Sequence, residues 1–176
     1  IPSEEHRIEM FPMDYEEFRW ALGDTATIPL LRSAFEKKIS LGDATHRKLM
    51  RDFRLYMLVG GMPQAVAAYI KTNNFTAVDL AKRDIIALYE EDFGKIDDSG
   101  RAKAMYDAIP AQLSRNTSRY KVGNAIPEEK VDRVINIVKD MEDSMTTNIA
   151  FHSDDPNVGL ALTKNPEYFK MYASDT

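Results

Sequence analysis

The sequence predicts a mainly α-helical protein with a small β component toward its C-terminal end. Apolar residues recur at helical spacing through residues 14–93, and Gly, Pro and Asp residues divide that stretch into five short segments. Residues 146–151 and 164–173 are strand-like and are separated by an Asp-rich turn at 154–157. With 176 residues, 44% of them hydrophobic and 29% charged, the chain has the composition of an ordinary globular protein.

The first elements are a strand and two helices. Residues 6–11 alternate over 7–10 as in a half-buried strand, which Pro12 ends. Asp14 followed by Glu17 matches a capping box, so a first helix is expected from Tyr15 to about residue 22. A second helix is expected from Thr27, with a proline just inside, to a stop at residue 42.

Three more helices complete the predicted bundle. Asp43 is placed to cap the third, which the Gly60-Gly61 pair ends. Pro63 starts the fourth helix, which ends near residues 73 and 74, and Thr76 is expected to cap a fifth that reaches residue 93. The apolar residues of the third helix are expected to face inward; they are Leu49, Met50, Phe53, Met57 and Leu58.

Residues 94–100 form the most polar connector and the predicted subdomain boundary. Beyond it, helices are predicted at 101–109, 110–116 and 128–141, the last with Pro127 at its first position. Three helices followed by a two-stranded ribbon is the element order of a winged helix-turn-helix.

Several kinds of chemistry lack their residues in this chain. The sequence contains no cysteine, and its three histidines lie far apart. It contains neither a P-loop motif nor a G-x-G-x-x-G motif. Paired acids such as Asp97-Asp98 are interpreted as caps and solvated faces. We therefore expect no catalytic residue, metal or cofactor in the chain itself. No apolar run approaches the roughly 18 residues of a membrane span, and the cysteine-free composition fits a cytoplasmic protein.

Nucleic-acid contact has one local candidate. Residues 112–124 carry a charge of +3 within a chain of net charge −5. The neighbouring helix carries acidic residues as well as basic ones. The alternative interpretation is a basic face that is simply solvated, and the small number of positive charges favours it. The candidate residues are Arg115, Arg119, Lys121, Lys130 and Arg133.

Five ordered segments resemble a family of prokaryotic AAA-type P-loop ATPases that usually carry a C-terminal domain of unknown function with a restriction-endonuclease-like fold. The segments are Phe11-Pro12-Met13-Asp14-Tyr15 through Leu22, Leu55 through Val66 with Gly60-Gly61-Met62-Pro63, Lys82 through Tyr89, Asp92-Phe93, and Ile109-Pro110-Ala111-Gln112-Leu113.

The resemblance implies a connector. Residues 1–13 would be the last strand of the ATPase core, 14–98 a lid-like bundle, and 99–176 a winged-helix-like module leading to the C-terminal domain. The opening Ile1, in place of Met, favours a piece of a longer polypeptide. ATP and magnesium are implied for the parent protein, and the partners implied are the other domains of its own polypeptide.

Two alternatives stay open. The first is a winged-helix module that binds nucleic acid. The second is a self-contained protein-interaction domain, which predicts an exposed apolar patch between Met57 and Tyr69.

Overall fold

The computed structural model describes residues 9–155 and 157–175. These residues form nine helices and one two-stranded antiparallel sheet, so the predicted mainly α class is confirmed. The elements are α1 (Tyr15–Ala21), α2 (Thr27–Glu36), α3 (Asp43–Val59), α4 (Pro63–Thr72), α5 (Phe75–Ile96), α6 (Arg101–Asp107), α7 (Ile109–Ser114), α8 (Val122–Ala125), α9 (Val131–Asp143), β1 (Thr147–Ser153) and β2 (Lys164–Ala173).

The chain folds as two compact units that meet within the sequence of α5. The first contains the described residues up to Asp84 together with Asp175, and the second contains Ile85–Ser174. The division into 1–13, 14–98 and 99–176 stays a prediction.

The first unit has a small apolar core contributed by α1, α3, α4 and α5. The buried members are Phe18, Val59, Ala65, Val66 and Val78. The capping box at α1 is confirmed, because Asp14 Oδ1 accepts from the Glu17 amide at 2.8 Å and the Asp14 amide donates to Glu17 Oε2 at 2.9 Å. Pro63 begins α4 as predicted. These local signals set where the two helices start.

The α3–α4 turn makes a close backbone approach to the chain before α1. Gly60 ends α3 with φ 82° and ψ −179°, a conformation that glycine adopts without strain. The Met13 amide donates to the Gly61 carbonyl at 2.7 Å, and the Gly61 amide donates to Asp175 Oδ2. A Cβ on Gly61 would lie 3.0 Å from the Met13 nitrogen and nearer still to the Met13 oxygen, so this position has no room for a side chain.

A buried cation ties α1 to the rest of the first unit. Arg19 is 8% exposed and pairs with Asp24, and its Nη1 lies 2.9 Å from Asp52 Oδ2 on α3. Asp24 also accepts from the amides of Ala26 and Thr27 at the start of α2. Hydrogen bonds from Thr27 and Arg19 lower the pKa of Asp24 strongly.

The second unit has the larger core, formed by α5 to α9 against one face of the sheet. β1 and β2 pair from Thr147↔Ala173 to Phe151↔Phe169, after which an irregularity pairs His152 with Asn165. Because side chains alternate along a strand, one face of the ribbon turns to the helices. The fully buried members include Phe93, Met105, Ile109, Val134, Val138, Met141, Phe169 and Met171.

Several boundaries differ from the sequence prediction. Helix α5 continues through Gly94 to Ile96, so the connector begins at Asp97. Glu128 has φ 65°, which interrupts a helix, so α9 begins at Val131 and Pro127 does not start it. The short helix α8 was not expected. The predicted strand at 6–11 falls partly outside the described residues, and residues 9–11 are not in a strand.

The start of α5 and the orientation of α3 also differ. Asn74 Oδ1 accepts from the Thr76 amide at 2.8 Å, so Asn74 takes the capping role expected of Thr76. The inward face predicted for α3 is wrong, because Met50, Phe53, Met57 and Leu58 are exposed. The side that packs is the one bearing Val59, with Leu55 and Tyr56 beside it.

Candidate functional site

Three of the five predicted basic residues meet at one cleft in the second unit. Arg119, Lys121 and Lys130 line an open cleft of about 620 Å³ between the 119–124 segment, the start of α9 and β2. Arg115 immediately follows α7 and does not line the cleft. Arg133 lies on α9, where its Nη1 is 3.7 Å from Glu129 Oε1. The structure therefore brings together part of the predicted set.

The backbone beneath the cleft is held in place by hydrogen bonds to the buried side chain of Gln112 and to β2. The Lys121 amide donates to Gln112 Oε1 at 2.6 Å, and Gln112 Nε2 donates to the Lys121 carbonyl at 3.1 Å. The Tyr120 amide donates to the Phe169 carbonyl of β2 at 2.7 Å. With its backbone fixed on both sides, Lys121 projects from a rigid support.

Tyr120 is a structural residue. Its side chain is 3% exposed, stacks on Phe169 with 5.8 Å between ring centroids, and donates its hydroxyl to the Met105 carbonyl at 2.7 Å. Burial raises the pKa of the phenol well above its usual value. Tyr120 is therefore unavailable to stack on a ligand in the cleft.

A different tyrosine supplies the aromatic contact. The Arg119 guanidinium lies 5.2 Å from the centroid of the Tyr168 ring, a cation–π geometry. The Tyr168 hydroxyl donates to Ser118 Oγ at 2.9 Å, and the His152 ring is 5.0 Å from the Tyr168 ring. These contacts orient the Arg119 side chain before any ligand arrives.

Carboxylates balance the cations of the cleft. Glu129, Asp132 and Glu167 line it together with the three basic side chains. The exposed side of α9 is no more basic, because its charged residues are Asp132, Arg133, Lys139, Asp140 and Asp143. The cleft is thus suited to a ligand that offers both donors and acceptors better than to a uniform polyanion.

Sequence reasoning missed two groups of residues. Tyr168, which contacts Arg119, and His152, which contacts Tyr168, both lie on the ribbon, and no short-range signal places residue 168 beside residue 119. The second group, on α3, had a readable signal: Arg47, Lys48, Arg51 and Arg54 make residues 46–54 as basic as the predicted segment 112–124.

Among the described residues, no cluster of three or more His, Asp or Glu side chains is placed to hold a metal ion. A search of the same residues finds no helix with the length and apolar character that crossing a membrane requires.

Comparison with known families identifies one family that matches this chain. A family model described as a domain of unknown function, DUF8612, matches residues 50–176. The chain belongs to the DUF8612 family. The match runs from the middle of α3 to beyond the end of β2, so it includes the whole cleft. No curated protein and no solved structure matches this DUF8612 chain.

Proposed function

We propose that this DUF8612 chain is a non-catalytic connector of a cytoplasmic AAA-type ATPase, coupling an ATP-binding core to a C-terminal domain. The resemblance of five ordered segments to that ATPase family motivates the proposal. In this proposal, residues 14–98 are the lid-like bundle and residues 99–176 are the winged-helix-like module. ATP and magnesium would be bound by the core, since this chain has no phosphate-binding loop.

The observation that supports the connector role is the apolar surface of the first unit. Six apolar residues of this unit are buried, whereas fourteen large apolar side chains among its described residues are exposed. Phe35 of α2 is 85% exposed and Met57 of α3 is 66% exposed. A surface of this kind normally packs against another protein surface, because monomeric proteins seldom leave large contiguous apolar patches in water.

A helical bundle in that position can transmit a change in the core. Packed helices switch between discrete arrangements, so a phosphate-dependent movement of the core would shift the bundle as a rigid body. The second unit, linked to it through the continuous helix α5, would receive that shift.

Co-purification with the ATPase core of its parent polypeptide tests this role. We expect a stable complex, and we expect Phe35→Ser with Met57→Ser to weaken it while Lys71→Ser with Lys139→Ser, on other exposed positions, does not. By calorimetry, ATP should bind the complex and not the 176-residue chain alone. Absence of a complex, or micromolar ATP binding by the chain alone, would refute the role.

A second candidate function is nucleic-acid binding by the second unit. What favours it is the convergence of Arg119, Lys121 and Lys130 on one cleft, with Arg119 oriented by Tyr168. In this candidate, the helices that precede β1 and β2 and the two-stranded ribbon would form the winged-helix-like module, supported by the hydrogen bond from the Tyr120 amide to the Phe169 carbonyl of β2.

Salt-dependent binding of a labelled duplex separates this candidate from the first. Each lost phosphate contact reduces the slope of log K against log salt by about 1. We expect Arg119→Ala, Lys121→Ala and Lys130→Ala together to reduce it by about 3, and Arg115→Ala outside the cleft to leave it unchanged. Duplex binding that is undetectable at low salt would exclude the candidate.

A further inference from the structure

Helix α3 presents an exposed apolar stripe. Met50, Phe53 and Met57 follow the i, i+3, i+7 spacing of one helix face. Met57 is 66% exposed, whereas Met50 and Phe53 are each 38% exposed and the Phe53 ring packs edge-on against Tyr15, with 5.3 Å between ring centroids. Leu58, also exposed, widens the stripe at the C-terminal end of the helix. The opposite face bears Val59 and packs into the core of the first unit. The stripe is therefore a second apolar face of a helix whose packing is already satisfied.

Cations lie beside the N-terminal part of this stripe. Arg47, Arg51 and Arg54 recur at intervals of four and three residues, and Lys48 lies beside them. All four side chains are exposed. The pattern places a row of positive charge alongside a row of apolar side chains.

The cations are barely neutralised within the described residues. Asp52 is the only acid in the 46–54 stretch, and it turns toward Arg19, with 2.9 Å between Arg19 Nη1 and Asp52 Oδ2. Arg51 Nε comes no nearer than 3.7 Å to that carboxylate, and Arg47, Lys48 and Arg54 form no ion pair with any described residue. In a chain of net charge −5, this helix face is a local concentration of positive charge.

We propose that the α3 face is a docking surface for an acidic amphipathic helix of a partner protein. The juxtaposition that carries it is a row of arginine side chains, of which only Arg51 has an ion pair within the described residues, beside exposed methionine side chains and the partly exposed Phe53. Arginine matches carboxylates through paired N–H donors, and methionine adapts its shape to varied apolar partners. A helix with aliphatic residues on one stripe and Glu or Asp on the next complements both rows.

A protein partner fits these observations better than a nucleic acid does. Phosphates would neutralise the arginines but would leave Met50, Met57 and Leu58 in contact with water. Aliphatic side chains cover such a stripe and remove apolar area from solvent. The inference goes beyond the connector role, because the partner is defined by its chemistry and need not be the ATPase core.

The test uses the whole chain and three synthetic helical peptides in fluorescence anisotropy. The first peptide carries Leu at i, i+3 and i+7 with Glu alongside, the second has Lys in place of Glu, and the third has Ser in place of Leu. The first should bind at least about tenfold more tightly than the other two, since each close charge pair and each buried aliphatic contributes. Equal binding of the first and third peptides would mean unspecific charge attraction and would overturn the proposal.

Charge reversal on α3 provides the matched variants. Arg47→Glu, Arg51→Glu and Arg54→Glu together should abolish binding of the Glu peptide and create binding of the Lys peptide. Lys37→Glu, Lys71→Glu and Lys139→Glu make the same change in net charge elsewhere and should leave the Glu peptide bound. Because the reversed variant gains a ligand, misfolding cannot mimic the expected result.

Two further arms decide the class of partner. Met50→Ser with Met57→Ser should weaken binding of the Glu peptide at least about fivefold. The salt dependence of that binding should stay the same, because only the apolar row is changed. A labelled single strand and a labelled duplex should compete poorly with the Glu peptide. Competition by either nucleic acid at equal concentration, or no effect of the methionine changes, would overturn the proposal.

Discussion

Asp97 anchors the start of α6, and its removal should destabilise the second unit in a way that depends on pH. The carboxylate is 7% exposed and accepts hydrogen bonds from the Arg101 amide at 2.7 Å, from Ser99 Oγ at 2.7 and 2.8 Å, and from Arg101 Nη2 at 3.1 Å. Burial opposes the charged form, but these bonds together outweigh it and lower the pKa of Asp97 from 3.8 to about 2.

The lowered pKa fixes both the size and the sign of the effect. At 1.36 kcal/mol per pKa unit, the shift corresponds to about 2 kcal/mol of stability. Because the pKa in the folded state lies below that in the unfolded state, the contribution is complete above about pH 5. It is lost as the pH falls through about 4 toward 2, where the carboxylate becomes protonated in both states.

Urea unfolding of the wild type and Asp97→Asn, followed by far-UV circular dichroism, measures this contribution. We expect the free energy of unfolding to fall by about 2 kcal/mol at about pH 7 and by less than about 1 kcal/mol at about pH 2.5. Asp98→Asn, on the exposed neighbouring residue, should change it by less than about 0.5 kcal/mol at either pH. Equal losses for Asp97→Asn at both pH values, or equal effects of the two variants, would refute the reasoning.

Three other substitutions test the packing described above, each by the free energy of unfolding. Gly61→Ala should destabilise the first unit by about 2 to 4 kcal/mol, because the added Cβ would meet backbone atoms that cannot move aside. At Gly123 the nearest atom to an added Cβ lies at 4.0 Å, so Gly123→Ala should change stability by less than about 1 kcal/mol. Arg19→Met should cost about 2 to 4 kcal/mol by leaving two carboxylates unpaired, while Arg32→Met, at an exposed pair, should cost less than about 1 kcal/mol. Tyr120→Phe should cost about 1 to 2 kcal/mol because it removes a buried hydrogen bond; a loss below about 0.5 kcal/mol would contradict the structural role.

Local signals predicted the element starts that depend on local chemistry. Two helix starts, at the Asp14 capping box and at Pro63, depend on chemistry within a few residues. The same holds for the end of α3, where Gly60 adopts a positive φ. The ribbon was also predictable, because alternation and the Asp-rich turn are short-range features.

Elements that depend on tertiary packing were predicted less well. Helix α3 bears apolar residues on two faces, and periodicity cannot tell which of them meets the core. The helix passes through Gly94 because the burial of Phe93 offsets the cost of about 1 kcal/mol that glycine imposes. Pro127 predicts a helix start, but the next residue, Glu128, has a positive φ. The helix α9 therefore begins only at Val131.

The candidate cleft shows the same division between local and distant information. Arg119 and Lys121 are two residues apart in sequence, so their joint position was predictable. Glu167, which offsets their charge, comes from β2 and meets them only because the ribbon packs beside residues 119–124. No charge count over a short window could have included it.

The distribution of charge bears on where an anionic partner would bind first. In the cleft, three cations face three carboxylates, so the local field is nearly balanced. Among the described residues, the only ion pair of Arg47, Lys48, Arg51 and Arg54 is the 3.7 Å contact of Arg51 with Asp52, a carboxylate that also pairs with Arg19. An acidic segment of a protein would therefore be attracted to α3 more strongly than to the cleft. Binding that survives charge reversal on α3 and fails when the cleft cations are removed would be needed to assign a polyanion to the second unit.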